Sequence, residues 1–141
     1  MTPSSKIEFS ICICNRNMAE TLRISLESIL NQVDERFELV VVDDGSRDNS
    51  LEIMSELKSK YKNFIFYSLP RDKKRKLGLT RNFSIAKANG RWVILHLDTD
   101  DYVESGILEF VQSVLAVNAV DPTPALCPKW HAADRRNRCR A

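Results

Sequence analysis

Four short apolar runs alternate with four amphipathic stretches over residues 1–117, and this alternation most limits what the chain can fold into. The runs are Glu8 to Cys14, Phe37 to Val42, Phe64 to Tyr67 and Trp92 to Leu97. They are rich in Val, Ile and Phe, residue types that favour strands. Between them, apolar residues recur three and four apart, the spacing of one helix face. Leu22, Leu26, Ile29, Leu30 and Val33 mark a helix from about Met18 to Gln32. Leu51, Met54, Leu57 and Tyr61 mark a second. Leu79, Phe83 and Ala86 face inward from a third, which Asn89-Gly90 ends. Ile107, Leu108, Val111, Val114 and Leu115 form the apolar face of a fourth, from about Ser105 to Val117. Strand followed by helix, four times over, predicts an α/β domain: a mostly parallel sheet with helices on both faces. The run from Trp92 to Leu97 is expected to be buried on both faces.

Acidic residues gather where strands end. Asp98, Asp100 and Asp101 follow the fourth run at once. Three like charges this close repel and shift one another's pKa. A bound cation relieves the repulsion, and hard oxygen ligands suit Mg²⁺ or Mn²⁺. The same residues also suit a solvated acidic turn, so both readings stand on this stretch alone. Asp43 and Asp44 close the second strand, followed by Gly45, which permits a tight turn. Asp48 or Asn49 can cap the helix beyond. Asn15-Arg16-Asn17 ends the first strand. In a parallel sheet these three ends share one edge, the edge at which open α/β sheets bind ligands. Such an edge suits a nucleoside diphosphate. One carboxylate accepts a hydrogen bond from base or ribose, and another holds a divalent ion against the phosphates. Thr80-Arg81-Asn82, at the opening of the third helix, offers N–H groups and a guanidinium to phosphate. No Gly-rich phosphate loop of either standard kind is present, which argues against dinucleotide dehydrogenases and P-loop enzymes.

Composition bounds the rest. At 141 residues the chain fits one domain, and no apolar run approaches the ~20 residues of a membrane span. The polar start, Met1 to Lys6, has no apolar signal region behind it, so a cytoplasmic location is expected. Residues 1–117 carry 16 Lys and Arg against 17 Asp and Glu, a balance that argues against a nucleic-acid partner. Arg71, Lys73, Lys74, Arg75 and Lys76 crowd the loop from Pro70 to Gly78. It reads as solvated, with an electropositive rim for an anionic substrate as the sharper alternative. Cys12 and Cys14 share one face of the first strand and read as buried free thiols. His96 reads as a hydrogen-bonded core residue. Residues 118–141 lose all periodicity, hold three of the five prolines and carry a basic excess. They are expected to be an irregular tail of doubtful nativeness. Cys127, His131 and Cys139 in it lack the spacing of a zinc site.

Over residues 7–117 the sequence resembles the N-terminal, nucleotide-sugar-binding part of a family 2 glycosyltransferase with the GT-A fold. Ser10 to Arg16 resembles the opening strand and its polar end. Val41-Val42-Asp43-Asp44-Gly45-Ser46-Arg47-Asp48 is similar to the family's VVDDGSxD segment. Gly78 to Ala86 resembles its G-x-x-x-R-N-x-G-x-x-x-A segment, with Ser84 where Gly is usual. Leu97-Asp98-Thr99-Asp100-Asp101 resembles its DxD motif. The resemblance implies that Cys14, Asn15 and Asp43 or Asp44 meet the base and ribose of a nucleotide sugar, most often a UDP-sugar. It implies that Arg81 approaches the nucleotide or diphosphate, and that Asp98 lies near ribose and sugar. Asp100 would be the principal contact for Mg²⁺ or Mn²⁺, with Asp98 and Asp101 beside it. The reaction implied is transfer to a glycan or lipid acceptor with inversion, and association with the inner membrane face stays open. In the family a later region supplies the acceptor site and general base, and nothing after Val117 matches it. The chain is therefore expected to be a truncated donor-binding portion. A non-catalytic nucleotide-binding fragment is the alternative, and no catalytic residue is assigned.

Overall fold

The computed structural model describes residues 7–95, 97–118 and 132–134. Strands β1 (Phe9–Asn15), β2 (Phe37–Asp44), β3 (Phe64–Leu69) and β4 (Trp92–Ile94) alternate with helices α1 (Ala19–Leu30), α2 (Ser50–Lys60), α3 (Leu77–Lys87) and α4 (Ile107–Asn118). A short β5 (Ala132–Asp134) completes a sheet of order β3-β2-β1-β4-β5. The first four strands run parallel, and β5 pairs antiparallel with β4. The α/β class and the mostly parallel sheet are as the alternation predicts.

Side chains leave a strand alternately to its two faces, and helices cover both. Phe9, Ile11, Ile13, Leu39, Val41 and Phe64 of the sheet meet Leu22, Leu26 and Ile29 of α1, Met54 and Leu57 of α2 and Leu108 of α4. On the opposite face Cys12, Val40 and Val93 pack with Ile85 and Ala88, from α3 and its end. β2 is buried at all eight positions because it lies between β1 and β3 and under both helix layers.

Three expectations need correction. Among the described residues of the run from Trp92 to Leu97, only Trp92–Ile94 are strand, and of these only Val93 is fully buried. β4 pairs with β1 from Phe9↔Trp92 to Ile11↔Ile94 and then leaves the sheet to build the acidic loop. The doubly covered strand is β2. Second, the inward face of α3 is Thr80 and Ser84, continued by Ala88. Leu79 and Ala86 point to solvent, and Phe83 is half-buried, edge-on to Tyr67. Small residues at every fourth position let the helix lie close on β1 and β2, which larger side chains would prevent. Third, the tail is not wholly irregular. β5 covers the outer edge of β4, where unpaired N–H and C=O groups would otherwise stand. His96, Cys127, His131 and Cys139 lie outside the described residues. No helix among the described residues is long and apolar enough to cross a membrane.

Candidate functional site

The carboxyl ends of β1 and β2 are locked together by one buried carboxylate. Asn15 and Asp43 are register partners. Asn15 Nδ2 donates to Asp43 Oδ1 at 2.9 Å, and the Ser46 hydroxyl donates to the same oxygen. Ser46 N–H donates to Asp43 Oδ2 at 2.9 Å. Ser46 Oγ in turn accepts from the backbone N–H of Asn17 at 2.9 Å. Asn17 holds φ 51°, a left-handed conformation that Asn tolerates. Its Oδ1 accepts from Arg47 N–H at 2.7 Å. Asp48 adds a further tie, accepting from Ala19 N–H at the start of α1 and from Ser50 N–H at the start of α2. Asp43 is 0% exposed and committed to these bonds.

The neighbouring Asp44 faces a different environment. Arg71 Nη1 donates to its Oδ2 and Arg75 Nη1 to its Oδ1, each at 2.8 Å. The basic loop is thus folded over the end of β2 rather than wholly solvated. Gly45 makes this possible: it sits at φ 69°, and a Cβ there would lie 2.7 Å from the Arg71 backbone. Cys14, Asn15, Arg16, Asp44, Arg71, Arg75, Leu77 and Thr80 line a cleft of about 220 Å³. Burial pushes the Cys14 thiol up to about 11, against a lowering by Arg81 and further raising by Asp98 and Asp44. The thiol is neutral at ordinary pH.

The acidic loop is held by two serines of α1 and by Gln32 just beyond its end. Ser25 Oγ donates to the Asp98 carbonyl at 3.1 Å, Ser28 Oγ accepts from Val103 N–H at 3.0 Å, and Gln32 Nε2 donates to the Val103 carbonyl at 2.9 Å. Asp101 Oδ2 accepts from Asp98 N–H at 2.8 Å, which tightens the turn. Asp98, Asp100 and Asp101 are exposed, and one carboxylate oxygen from each lies within 4.8 Å of the others. Asp98 also forms an ion pair with Arg81, Oδ1 to Nη2 3.7 Å. Three hard oxygen donors converging from one turn, with Asp100 lacking any protein partner among the described residues, fit a divalent cation.

The sequence-level candidates are therefore gathered on one edge, in two parts. Cys14, Asn15 and Asp44 line the cleft, with Asp43 bracing its wall. Asp98, Asp100 and Asp101 form the acidic turn, with Arg81 paired to it. Arg71 and Arg75 stand out in the sequence only as two cations of a basic loop, and Ser46 only as part of the VVDDGSxD segment. A basic loop gives no pattern that singles out two of its five cations.

The glycosyl transferase family 2 model matches residues 10–125. This chain belongs to that family. It is 38% identical over 104 residues to a cholesterol galactosyltransferase of Borreliella burgdorferi, covering 74% of this chain and 28% of that protein. It is 35% identical over 104 residues to a poly(ribitol-phosphate) beta-glucosyltransferase of Bacillus spizizenii, covering 72% of this chain and 16% of that protein. Among solved structures, S. aureus TarS (residues 1–349) in complex with UDP is similar, with TM-score 0.72 and 27% identity, over 79% of this chain and 33% of that one. A mannosyltransferase from Pyrobaculum calidifontis, in complex with GDP-Man and Mn²⁺, shares the fold at TM-score 0.69 and 21% identity, over 86% of this chain and 34% of that one. The family 2 chain thus carries the GT-A arrangement, and it spans between 16% and 34% of these relatives' lengths.

Proposed function

We propose that these residues form the donor site of a metal-dependent glycosyltransferase, which takes a UDP-sugar and transfers its sugar with inversion. The observation that carries this reading is the joining of two different environments on one sheet edge. One is a cleft lined by Asp44 and by Arg16, Arg71 and Arg75. The other is an open turn of three converging carboxylates. A nucleotide sugar has this same division: a nucleoside rich in hydrogen-bonding groups and a diphosphate that takes a cation. UDP in the similar TarS structure supports uridine as the nucleoside.

In this reading the cleft holds the nucleoside, and Asp43 keeps Asn15 and Ser46 in place without touching it. Asp98, Asp100 and Asp101 would hold Mg²⁺ or Mn²⁺. A divalent cation there offsets the charge that develops on the departing diphosphate. Arg81 supplies a second positive group beside Asp98. Donor binding is proposed for this chain and sugar transfer, to a glycan or lipid acceptor, for the whole protein, because the relatives are at least three times longer than the matched part.

A thermal-shift panel of UDP, GDP, CDP and ADP, each with Mn²⁺, tests the proposal. UDP at about a hundredfold over its Kd should stabilise the chain by about 2.7 kcal/mol. A folded chain whose melting temperature no nucleotide moves would defeat the reading. Product formation from a labelled UDP-sugar then separates a transferring chain from one that only binds.

A further inference from the structure

Thr80 is 1% exposed and Asn15 is 2% exposed, and both line the cleft. Thr80 Oγ1 and Asn15 Oδ1 are buried and have no hydrogen-bond partner among the described residues. A buried polar atom without a partner destabilises the chain that holds it. Two such atoms in the wall of one cleft form a cost borne by the free chain.

The Asn15 amide cannot turn over to relieve it. Its Nδ2 is committed to Asp43 at 2.9 Å and is also 3.3 Å from Ser46 Oγ. Its carbonyl oxygen is therefore a fixed acceptor. Thr80 is the fourth residue of α3, and its hydroxyl bonds to no carbonyl of the preceding turn. The other residue of the inner face, Ser84, is satisfied: it donates to the Arg81 carbonyl at 2.7 Å. Arg71 and Arg75, two of the three arginines that line the cleft, have long stems, so the wall can yield to a ligand.

We infer that Thr80 is a ligand-binding residue of the donor site, its hydroxyl bonding to the polar edge of the bound nucleoside next to the acceptor oxygen of Asn15. This rests on the donor-site reading above and adds to it a specific contact from α3. Nothing in the helix itself needs a hydroxyl at this position. An apolar side chain of equal size would suit the free chain better.

That contrast is the test. Thr80→Val keeps the shape and removes the hydroxyl. Its melting temperature should equal or exceed that of the wild-type chain, while its Kd for UDP rises by about five- to tenfold. Thr80→Ser, which keeps the hydroxyl, should bind UDP within about twofold of wild type. Repeating the titration with 2′,3′-dideoxy-UDP locates the partner: a penalty that persists assigns the bond to the base, and one that vanishes assigns it to the ribose. A Thr80→Val chain that binds UDP as tightly as wild type overturns the inference alone. So does a marked loss of stability in Thr80→Val, which would show that the hydroxyl serves the fold. A wild-type chain that is folded and binds no nucleoside diphosphate removes the donor-site reading and this inference together.

Discussion

Asn15 and Asp43 stand opposite each other at the ends of neighbouring parallel strands, and the amide of the first donates to the carboxylate of the second at 2.9 Å. This pairing divides the two adjacent aspartates by task. Asp43 is enclosed and holds the sheet edge together, whereas Asp44 meets the cleft. Asp43→Asn turns one acceptor into a donor against Asn15, Ser46 or both. It should cost about 2 kcal/mol, read as a lower urea midpoint at unchanged slope. Asp44→Asn should cost less than Asp43→Asn, because its guanidinium partners keep 28% and 18% of their side-chain surface in water. Its loss should appear instead as UDP affinity at least about tenfold weaker. Equal effects of the two changes on stability and binding would contradict the division.

Gln32 ties α1 to the acidic loop through the carbonyls of Ser28 and Val103, at 2.7 and 2.9 Å. Gln32→Ala removes both bonds and should lower stability by about 1 kcal/mol. Mn²⁺ affinity should fall with it, because the carboxylates lose their support, while UDP binding without metal stays within about twofold. Titrations of Mn²⁺ and of UDP on the same variant separate the two effects.

Gly45→Ala should damage both stability and nucleotide binding. The added methyl meets the Arg71 backbone at 2.7 Å, and φ 69° strains any residue with a Cβ. The loop must then lift, taking both guanidiniums from Asp44. A loss of about 2 kcal/mol and a UDP affinity at least about tenfold weaker are expected. Calorimetry and urea unfolding of the one variant check both.

The sheet class, the order of elements and the sharing of one edge by Asn15, Asp44 and Asp98 were legible because apolar periodicity and strand direction decide them. Burial on each helix was less so. Leu79, at helical spacing, is 59% exposed, while Thr80 and Ser84 are buried. The need for α3 to lie close to the sheet outweighed hydrophobicity there, a tertiary demand that local spacing does not carry. The extent of β4 is not legible in the sequence for a similar reason. An apolar run reports burial, yet the pairing that ends at Ile94 depends on where the chain must leave for the acidic turn. The arginine clamp on Asp44 was hidden because it joins residues 27 and 31 positions apart through a loop with no period.

Cys14 brings a pH dependence of definite sign. Burial raises its pKa from 9.0 to about 11 in the folded chain. Above pH 9 the unfolded chain releases this proton while the folded chain keeps it, so stability falls as pH climbs from 9 towards 11. Cys14→Ala should show a shallower loss of melting temperature over that window than wild type. Matching slopes would mean the thiol is not held neutral by the fold.

A calorimetric titration of UDP into the purified chain, with and without Mn²⁺, beside Asp100→Ala, tests the donor site most directly. Asp100 is an exposed member of the acidic turn with no protein partner among the described residues, so its removal should leave the fold intact. The expected result is UDP binding that Mn²⁺ strengthens in wild type by about tenfold or more, and no such strengthening in the variant. UDP binding of equal strength with and without Mn²⁺, or equal Mn²⁺ dependence in Asp100→Ala, would contradict a donor site that joins the cleft to the acidic turn.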